Sequence, residues 1–243
     1  DLIALATEGR GGLKRLFPDK VAIFTLDKQS SLRRRVPFDF EVQIPYAQVA
    51  PQDVEMLRET LDLSQPMVDS VYQLWKRFGA RWLERFLEAE DAAAMEEIAA
   101  AQGLHSGSLQ ALHRKLSNLT RLEFLRPEVS EDSVLQMLSC LTRGIHVVLE
   151  FGRYSDLTAY VLVANLLTRR IHEQYVQAME RHLGEEAAEP HPLVITIEEA
   201  HKFLNPRIAD QTIFGTIARE LRKFNVTLLV VDQRPSGIED DVF

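Results

Sequence analysis

The sequence lacks several features typical of secreted or membrane proteins. It contains one cysteine, Cys140, so no disulfide can form within the chain. No segment approaches the run of about 20 apolar residues that a membrane-spanning helix needs, and the first residues do not resemble a secretory signal peptide. Cys140 lies in an apolar helical pattern with Leu138 and Leu141, which predicts a buried structural thiol. These features favour a cytoplasmic protein with no membrane partner.

An excess of positive charge is also absent. The 243 residues include 28 Lys and Arg against 36 Asp and Glu, which gives a formal net charge of −8. This balance argues against a nucleic-acid-binding protein that is basic over its whole surface. It is compatible with a ring in which only the inner surface is basic, because the local field rather than the total charge guides a polyanion.

The third absence is a phosphate-binding loop. No G-x-x-x-x-G-K-[ST] segment occurs, and the chain has no Gly-Lys pair at all. Without such a loop we expect this polypeptide to bind nucleotide weakly or not at all. Either the loop lies upstream of Asp1, or the protein is a relative that has lost it. Because the first residue is not Met, we favour the first explanation and expect an internal fragment of a longer protein.

The order of predicted elements indicates the fold class. After residue 130 the chain alternates helix and strand, with predicted strands at 145–151, 193–197 and 226–231. A further buried strand is predicted at 20–27, which contains the mostly apolar run Val21 to Leu26. Repeated β-α-β units form a parallel sheet with right-handed crossovers. The sequence therefore predicts an α/β protein with a mostly parallel sheet flanked by helices.

The first half of the chain completes the predicted domain plan. Residues 28–35 are polar and basic and are predicted as a loop, whose arginines either contact phosphates or are simply solvated. Period-two alternation over 38–44 predicts a half-buried strand at a sheet edge. From Pro51 to about Arg126 the patterns are helical, and Trp75 and Trp82 are predicted to lie in the core of this helical subdomain. The predicted domain ranges are 1–50 and 127–243 for the sheet-containing core and 51–126 for the inserted helical subdomain.

Two carboxylates follow an apolar predicted strand. The run from Leu193 to Ile197 leads directly into Glu198 and Glu199, and such a run predicts a strand buried on both faces. Ligands bind at the carboxyl ends of strands in open α/β sheets, and two adjacent carboxylates there need a positive partner. Mg²⁺ with nucleotide phosphates is the first candidate, since Mg²⁺ is usually held by one or two carboxylates. This arrangement has the form of a Walker B strand.

Polar residues around the next strand complete the predicted site. A helix predicted at about 210–224 carries Arg219 and Arg222 on one face, and Gln233 follows the last strand. Phosphoryl transfer from ATP needs a metal-supporting carboxylate, a group that activates water, a γ-phosphate sensor and an arginine that neutralises transition-state charge. We assign support of the metal to Glu198, activation of water to Glu199 and sensing of the γ-phosphate to Gln233. Arg219 or Arg222 is assigned the neutralisation of transition-state charge.

Each of these residues also has a simpler interpretation. Two glutamates after a strand can merely cap the following segment. A basic helix face is most often solvated, and a single glutamine at a strand end carries little information. Only the order and spacing of the whole group favour the nucleotide site.

Three blocks of sequence resemble one family of motor proteins. They are Val194–Leu204, Ile217–Val226 and Asp232–Ser236. In this order they resemble the HerA-type hexameric DNA-translocating ATPases, which belong to the HerA/FtsK branch of RecA-like motors. The segment from Arg143 to Ile171 is similar to the strand and helix that precede Walker B in that family. The family often has Glu-Glu or Asp-Glu at the end of Walker B, so Glu198 is no serious departure.

The resemblance implies a RecA-like P-loop NTPase core, with a Walker A loop and a small N-terminal β-barrel upstream of this chain. It implies ATP and Mg²⁺ as cofactors and a homo-hexameric ring that moves double-stranded DNA through its centre. It also implies a NurA-type nuclease in DNA-end resection, or another effector, as partner. Two alternatives stay open: a conjugative or secretion-type pumping ATPase of the same branch, and a non-catalytic partner-binding module, which the missing loop favours. The fragment alone is expected to be inactive.

Overall fold

The computed structural model describes residues 13–89, 91–152, 154, 157–198 and 225–232. The chain divides into two compact units. The first contains the described residues up to Val42, those within 133–155 and those from Leu167 onward, and the second contains 43–132 and the described residues within 156–166. In chain order the elements are α1 (Leu13–Leu16), β1 (Val21–Thr25), α2 (Lys28–Arg34), β2 (Phe40–Glu41), β3 (Ile44–Pro45), α3 (Pro51–Met56), α4 (Gln65–Phe78), α5 (Trp82–Leu87), α6 (Ala92–Gln102), α7 (Ser106–Leu116), β4 (Leu125–Arg126), α8 (Ser133–Thr142), β5 (His146–Glu150), α9 (Leu157–Leu183), β6 (Leu193–Glu198) and β7 (Val226–Val231).

A three-stranded parallel sheet lies in the first unit, in the order β2-β1-β5. All five residues of β1 are buried, as predicted from the apolar run Val21 to Phe24, and the fifth is the polar Thr25. The ladder with β5 runs in register from Val21 and His146 to Thr25 and Glu150. The three strands therefore end together at one edge, with Glu41 and Glu150 on either side of Thr25.

The predicted strand at 38–44 is in fact two short strands. β2 is at the edge of its sheet, as predicted, whereas β3 pairs with β4 in the second unit. The backbone changes partners between the two strands. The Val42 N–H donates to the Thr25 carbonyl, and the Ile44 N–H donates to the Phe124 carbonyl.

Residues 28–34 are helical, so the prediction of a loop over this segment was wrong. The physical reason is the N-cap: an Asp27 side-chain oxygen accepts a hydrogen bond of 2.9 Å from the Ser30 N–H. Ser30 and Ser31 are buried on the inner face of α2. Serine favours loops only when its hydroxyl competes for local backbone groups, and here the Ser31 hydroxyl bonds to other side chains.

β6 and β7 pair in parallel over their full length of six residues. This confirms the predicted parallel arrangement of the last two strands. The prediction that β6 is buried on both faces was wrong, because Val194 is 57% exposed and Leu229 on β7 is 49% exposed. Side chains alternate across a strand, so one face of this pair is open while the opposite face carries the buried Ile197.

Between β3 and β4 every described element is helical. Pro51 lies in the first turn of α3. Backbone N–H groups there have no partner within the helix, so the N–H that proline lacks costs no hydrogen bond. Trp82 is fully buried, as predicted, and its indole N–H donates to the Val49 carbonyl at 2.8 Å. Trp75 is only half-buried. These helices belong to the second unit, which contains 43–132 and the described residues within 156–166 and which we call the helical unit.

The helices after β4 follow the sequence pattern closely. α8 is followed by Gly144 at φ +71, a left-handed conformation that favours glycine, and Cys140 within the helix is buried as predicted. α9 is 27 residues long. None of the helices in the described ranges combines the length and apolar character needed to cross a bilayer. Since the described strands pair in parallel and helices flank them, the predicted α/β fold class is confirmed.

Candidate nucleotide site and the carboxyl edges of the strands

The predicted nucleotide site lies at the carboxyl edge of β6 and β7. Glu198 is the last residue of β6, its side chain is exposed, and its register partner is Val231, the last residue of β7. Asp232 follows Val231 directly, so this edge carries a carboxylate from each strand. No role was predicted for Asp232, although the same strand-end reasoning would have found it.

The remaining predicted site residues are outside the described ranges. These are Glu199, Arg219, Arg222 and Gln233, together with the helix predicted at about 210–224. The structure therefore positions Glu198 alone among them. Glu199 and Gln233 are the next residues in the sequence after Glu198 and Asp232 respectively.

Glu198 suits a role in supporting Mg²⁺. The ion keeps several waters and takes one or two carboxylates along with substrate phosphates, so it needs no cage of protein ligands. An exposed carboxylate at the carboxyl end of a parallel strand fits this demand. Within the described ranges no group of three or more His, Cys, Asp or Glu residues is arranged to hold a metal.

A second carboxyl edge, that of β1 and β5, is occupied by the chain's own side chains. The Ser31 hydroxyl donates to Glu150 Oε2 at 2.9 Å, and Arg34 Nη2 forms an ion pair with Glu150 Oε1. Because the Ser31 proton is committed to Glu150, the Thr25 hydroxyl must donate to Ser31 Oγ, 2.8 Å away. The Asp27 N–H in turn donates to Thr25 Oγ1 at 3.2 Å. These bonds form one directional chain that ends on the Glu150 carboxylate.

A second ion pair holds the other end of α2 against the same edge. Lys28 Nζ is 3.0 Å from Glu41 Oε2, at the end of β2. The first and last residues of α2 are thus paired with the carboxylates that end the two outer strands. Glu41 and Glu150 are therefore both paired with cations of the chain itself.

The backbone of Gly152 lies close to Asp27 at this edge. A Cβ added to Gly152 would lie 2.5 Å from the Asp27 Cβ, and the residue has φ +64. Only glycine satisfies both conditions without displacement of the neighbouring chain. The turn after β5 is therefore packed directly on the N-cap of α2.

The chain has parallel strands that end in carboxylates, and helices lie between these strands in the sequence. This arrangement is typical of open α/β proteins, whose ligands bind at the carboxyl ends of the strands. Sequence comparison then identifies the family. Residues 6–171 match the family described as helicase HerA, central domain, and the chain belongs to that family.

Several curated proteins share part of this sequence. The DNA double-strand break repair helicase HerA of Sulfurisphaera tokodaii is 35% identical over 83 residues, which cover 33% of this chain and 16% of that protein. The helicase of the same name from Pyrococcus furiosus is 35% identical over 77 residues, or 31% of this chain and 14% of that protein. The one from Saccharolobus solfataricus is 43% identical over 53 residues, or 21% and 11%. The matched segments thus span under a fifth of each relative.

One solved structure with a similar arrangement is VirB4 of Thermoanaerobacter pseudethanolicus. It superposes with a TM-score of 0.44 at 14% sequence identity, over 94% of this chain and 66% of that chain.

Proposed function

We propose that this chain forms part of the ATPase core of a ring-forming motor that moves along double-stranded DNA. The observation that carries the proposal is the parallel pairing of β6 with β7, which ends on Glu198 beside the strand that leads into Asp232 and Gln233. Membership of the HerA central-domain family supports it. The curated relatives carry the name of DNA double-strand break repair helicases, which supports DNA as the substrate.

The proposed chemistry is hydrolysis of ATP with Mg²⁺. Glu198 would support the hydrated ion, Glu199 would activate the attacking water, and Gln233 would sense the γ-phosphate. Arg219 or Arg222 would act as the arginine finger in a neighbouring subunit of a homo-hexamer. In this proposal residues 1–50 and 127–243 form the nucleotide-binding core, and 51–126 form the inserted helical subdomain. A NurA-type nuclease or another effector in DNA-end resection is the proposed partner.

The substitution Glu199→Gln in the full-length protein tests the catalytic assignment. The variant should retain ATP binding and lose hydrolysis by at least about 10²-fold, the usual scale for loss of a general base. Steady-state phosphate release and equilibrium nucleotide binding measure the two effects separately. Glu186→Gln, in the exposed segment after α9, is the matched control and should hydrolyse ATP normally. Unchanged turnover in Glu199→Gln would contradict the assignment.

Mixed rings test the arginine finger. Subunits with Arg219→Ala or Arg222→Ala are combined with Glu199→Gln subunits, neither of which hydrolyses ATP alone. If one arginine acts across the subunit boundary, the mixture recovers activity, because some sites contain an intact glutamate and an intact neighbouring arginine. Absence of recovery with both arginine variants would count against a finger in trans.

A further inference from the structure

The carboxyl end of α9 exposes a leucine. Leu183, the last residue of this helix, is 76% exposed, more than any other large apolar side chain in the described part of the chain. A single exposed leucine is common on protein surfaces. Its surroundings therefore decide whether it has a role.

The turn after α9 is fixed by backbone hydrogen bonds. The Glu186 N–H donates to the Arg181 carbonyl at 2.9 Å, and the Glu185 N–H donates to the His182 carbonyl at 2.9 Å. These are the two bonds of a Schellman motif, and Glu185 has φ +61 at the position where glycine is usual. We call residues 183–186 the α9 tip. Because its backbone is already ordered, a partner that meets the tip would immobilise few additional groups.

A groove of about 460 Å³ lies between α8 and α9. Leu135 and Leu138 of α8 give it an apolar side, and Leu135 is itself 51% exposed. On α9 the lining is polar, and Gln174 Nε2 donates to Thr142 Oγ1 at 2.9 Å, which joins the two helices. We call this feature the α8–α9 groove. It offers apolar surface to a side chain that enters it.

The groove and the α9 tip have opposite charge. The charged residues that line the groove are Arg143, Arg170 and Glu173. Arg170 is paired with Glu173 at 2.8 Å, whereas Arg143 has no acidic partner among the described residues. Within the same ranges, Glu185 and Glu186 of the tip form no ion pair. The tip therefore combines an exposed leucine with two free carboxylates, and the groove combines two leucines with a free guanidinium.

The tip does not occupy the groove of its own chain. Both features belong to the first unit, and Leu183 is not among the residues that line the groove. Gln177 is the lining residue nearest to Leu183 along α9, and it lies six residues earlier. At about 1.5 Å per residue, Leu183 is about 9 Å further along the helix, and it lies on a different face. The two surfaces can therefore meet only between different copies.

We propose that the α9 tip of one copy of this chain enters the α8–α9 groove of a second copy. Leu183 packs against Leu135 and Leu138, and the two tip carboxylates face Arg143. Because the contacting surfaces differ, each copy uses its tip towards one neighbour and its groove towards the other. Such head-to-tail contacts form a ring when the rotation between copies closes. The inference rests on the proposed ring-forming function and adds to it a surface outside the nucleotide site.

Disulfide cross-linking of the 243-residue chain tests the contact. The double variant Leu135→Cys/Leu183→Cys is made in a Cys140→Ala background, which removes the native thiol, and is oxidised and separated on a non-reducing gel. A disulfide needs Cα atoms within about 7 Å, so it forms where the tip and groove of different copies meet. We expect a ladder of dimers, trimers and larger species. A mixture of the two single variants should stop at dimers, because each copy then has one reactive thiol.

Three results of this assay would overturn the proposal. The first is the absence of a ladder from the double variant. The second is a disulfide dimer from Leu183→Cys alone, which would show that two tips meet each other. The third is an equal ladder from Leu32→Cys/Leu183→Cys, which would show random collision. Leu32 on α2 is a matched control, since it is 55% exposed and does not line the groove.

Charge reversal tests the polar part of the contact. In the double cysteine variant, Arg143→Glu should slow the formation of the ladder about tenfold, because it brings like charges together. Further substitution by Glu185→Arg/Glu186→Arg should restore the rate, and a rate that stays low would contradict the pairing. Arg33→Glu is the matched control and should leave the rate unchanged. Arg33 and Arg143 are both exposed, and both donate from Nε to the carbonyl four residues earlier at 3.3 Å.

The contact and the proposed motor chemistry can fail separately. Formation of the ladder needs no nucleotide. Multimers in sedimentation velocity without any ladder would overturn this contact and leave the proposed ring in place. A ladder together with unchanged ATP turnover in Glu199→Gln would support the contact and contradict the catalytic assignment.

Discussion

Replacement of Gly152 by alanine should destabilise the first unit strongly, and the size of the effect follows from two features. The residue has φ +64, and a side chain in that region costs roughly 1–2 kcal/mol. The new Cβ would lie 2.5 Å from the Asp27 Cβ, so the chain must move, which typically costs about 1–3 kcal/mol in a packed region. We therefore expect Gly152→Ala to lower the free energy of unfolding by about 2–5 kcal/mol.

Gly144 provides the matched control for this prediction. It has φ +71, but nothing lies within 4 Å of a Cβ built there. Gly144→Ala therefore suffers the backbone strain without the steric overlap, and both alanines restrict the unfolded chain equally. Both glycines are in the first unit. The difference between the two variants, about 1–3 kcal/mol, isolates the contact between Gly152 and Asp27.

Urea unfolding followed by far-ultraviolet circular dichroism measures both free energies. Equal destabilisation by Gly152→Ala and Gly144→Ala would refute the reasoning, because it would mean that the turn after β5 is not packed on the N-cap of α2.

Two further predictions concern α2 and Tyr72. Glu150→Ala should lower the free energy of unfolding by about 1–3 kcal/mol, because it leaves the fully buried Ser31 hydroxyl without its acceptor. Glu41→Ala should lower it by about 1 kcal/mol or less, because the ion pair of Glu41 with Lys28 is exposed. Urea unfolding distinguishes them, and a Glu41→Ala effect as large as that of Glu150→Ala would contradict the prediction. The pKa of Tyr72 is raised to about 12 by burial, with further contributions from its hydrogen bond to Glu55 and the negative charges of Glu55 and Asp53. A raised pKa in the folded state means that the stabilising contribution is complete below about pH 10 and is lost as the pH rises towards 12. The unfolding free energy of the protein should fall over that interval and should fall less in Tyr72→Phe. A tyrosinate absorbance titration showing no phenol that ionises above its ordinary range would contradict the assignment.

Apolar runs and periodicity in the sequence were sufficient to predict three of the described elements. β1, β5 and α9 have strong apolar patterns, and their positions follow from those patterns alone. α2 was missed because its helical character depends on the Asp27 cap and on two buried serine side chains, and serine and aspartate are equally common in loops. The open face of β6 was missed because a run of branched apolar residues does not reveal how many layers cover a strand.

The residues at the strand ends were also predicted only in part. Glu198 was placed at a strand end by the simple change from apolar to acidic residues, and the structure has it there. The polar chain from Asp27 to Glu150 was not predicted, because Ser31 and Glu150 are 119 residues apart in the sequence. Such a contact depends on which strands pair, and strand pairing is not encoded in local periodicity. The same limitation hid the ion pair of Arg34 with Glu150, which joins residues 116 positions apart in the sequence.

Because of where the two tryptophans lie, the intrinsic fluorescence of the chain reports selectively on one of the two units. Trp75 and Trp82 are the only tryptophans in the sequence, and both belong to the helical unit. Trp82 is fully buried with its indole N–H bonded to Val49, so its emission should shift to longer wavelength when that unit opens. Tryptophan emission therefore reports on the helical unit, whereas circular dichroism reports on both. A denaturation curve in which the two signals separate would show the units unfolding one after the other, without any engineered label.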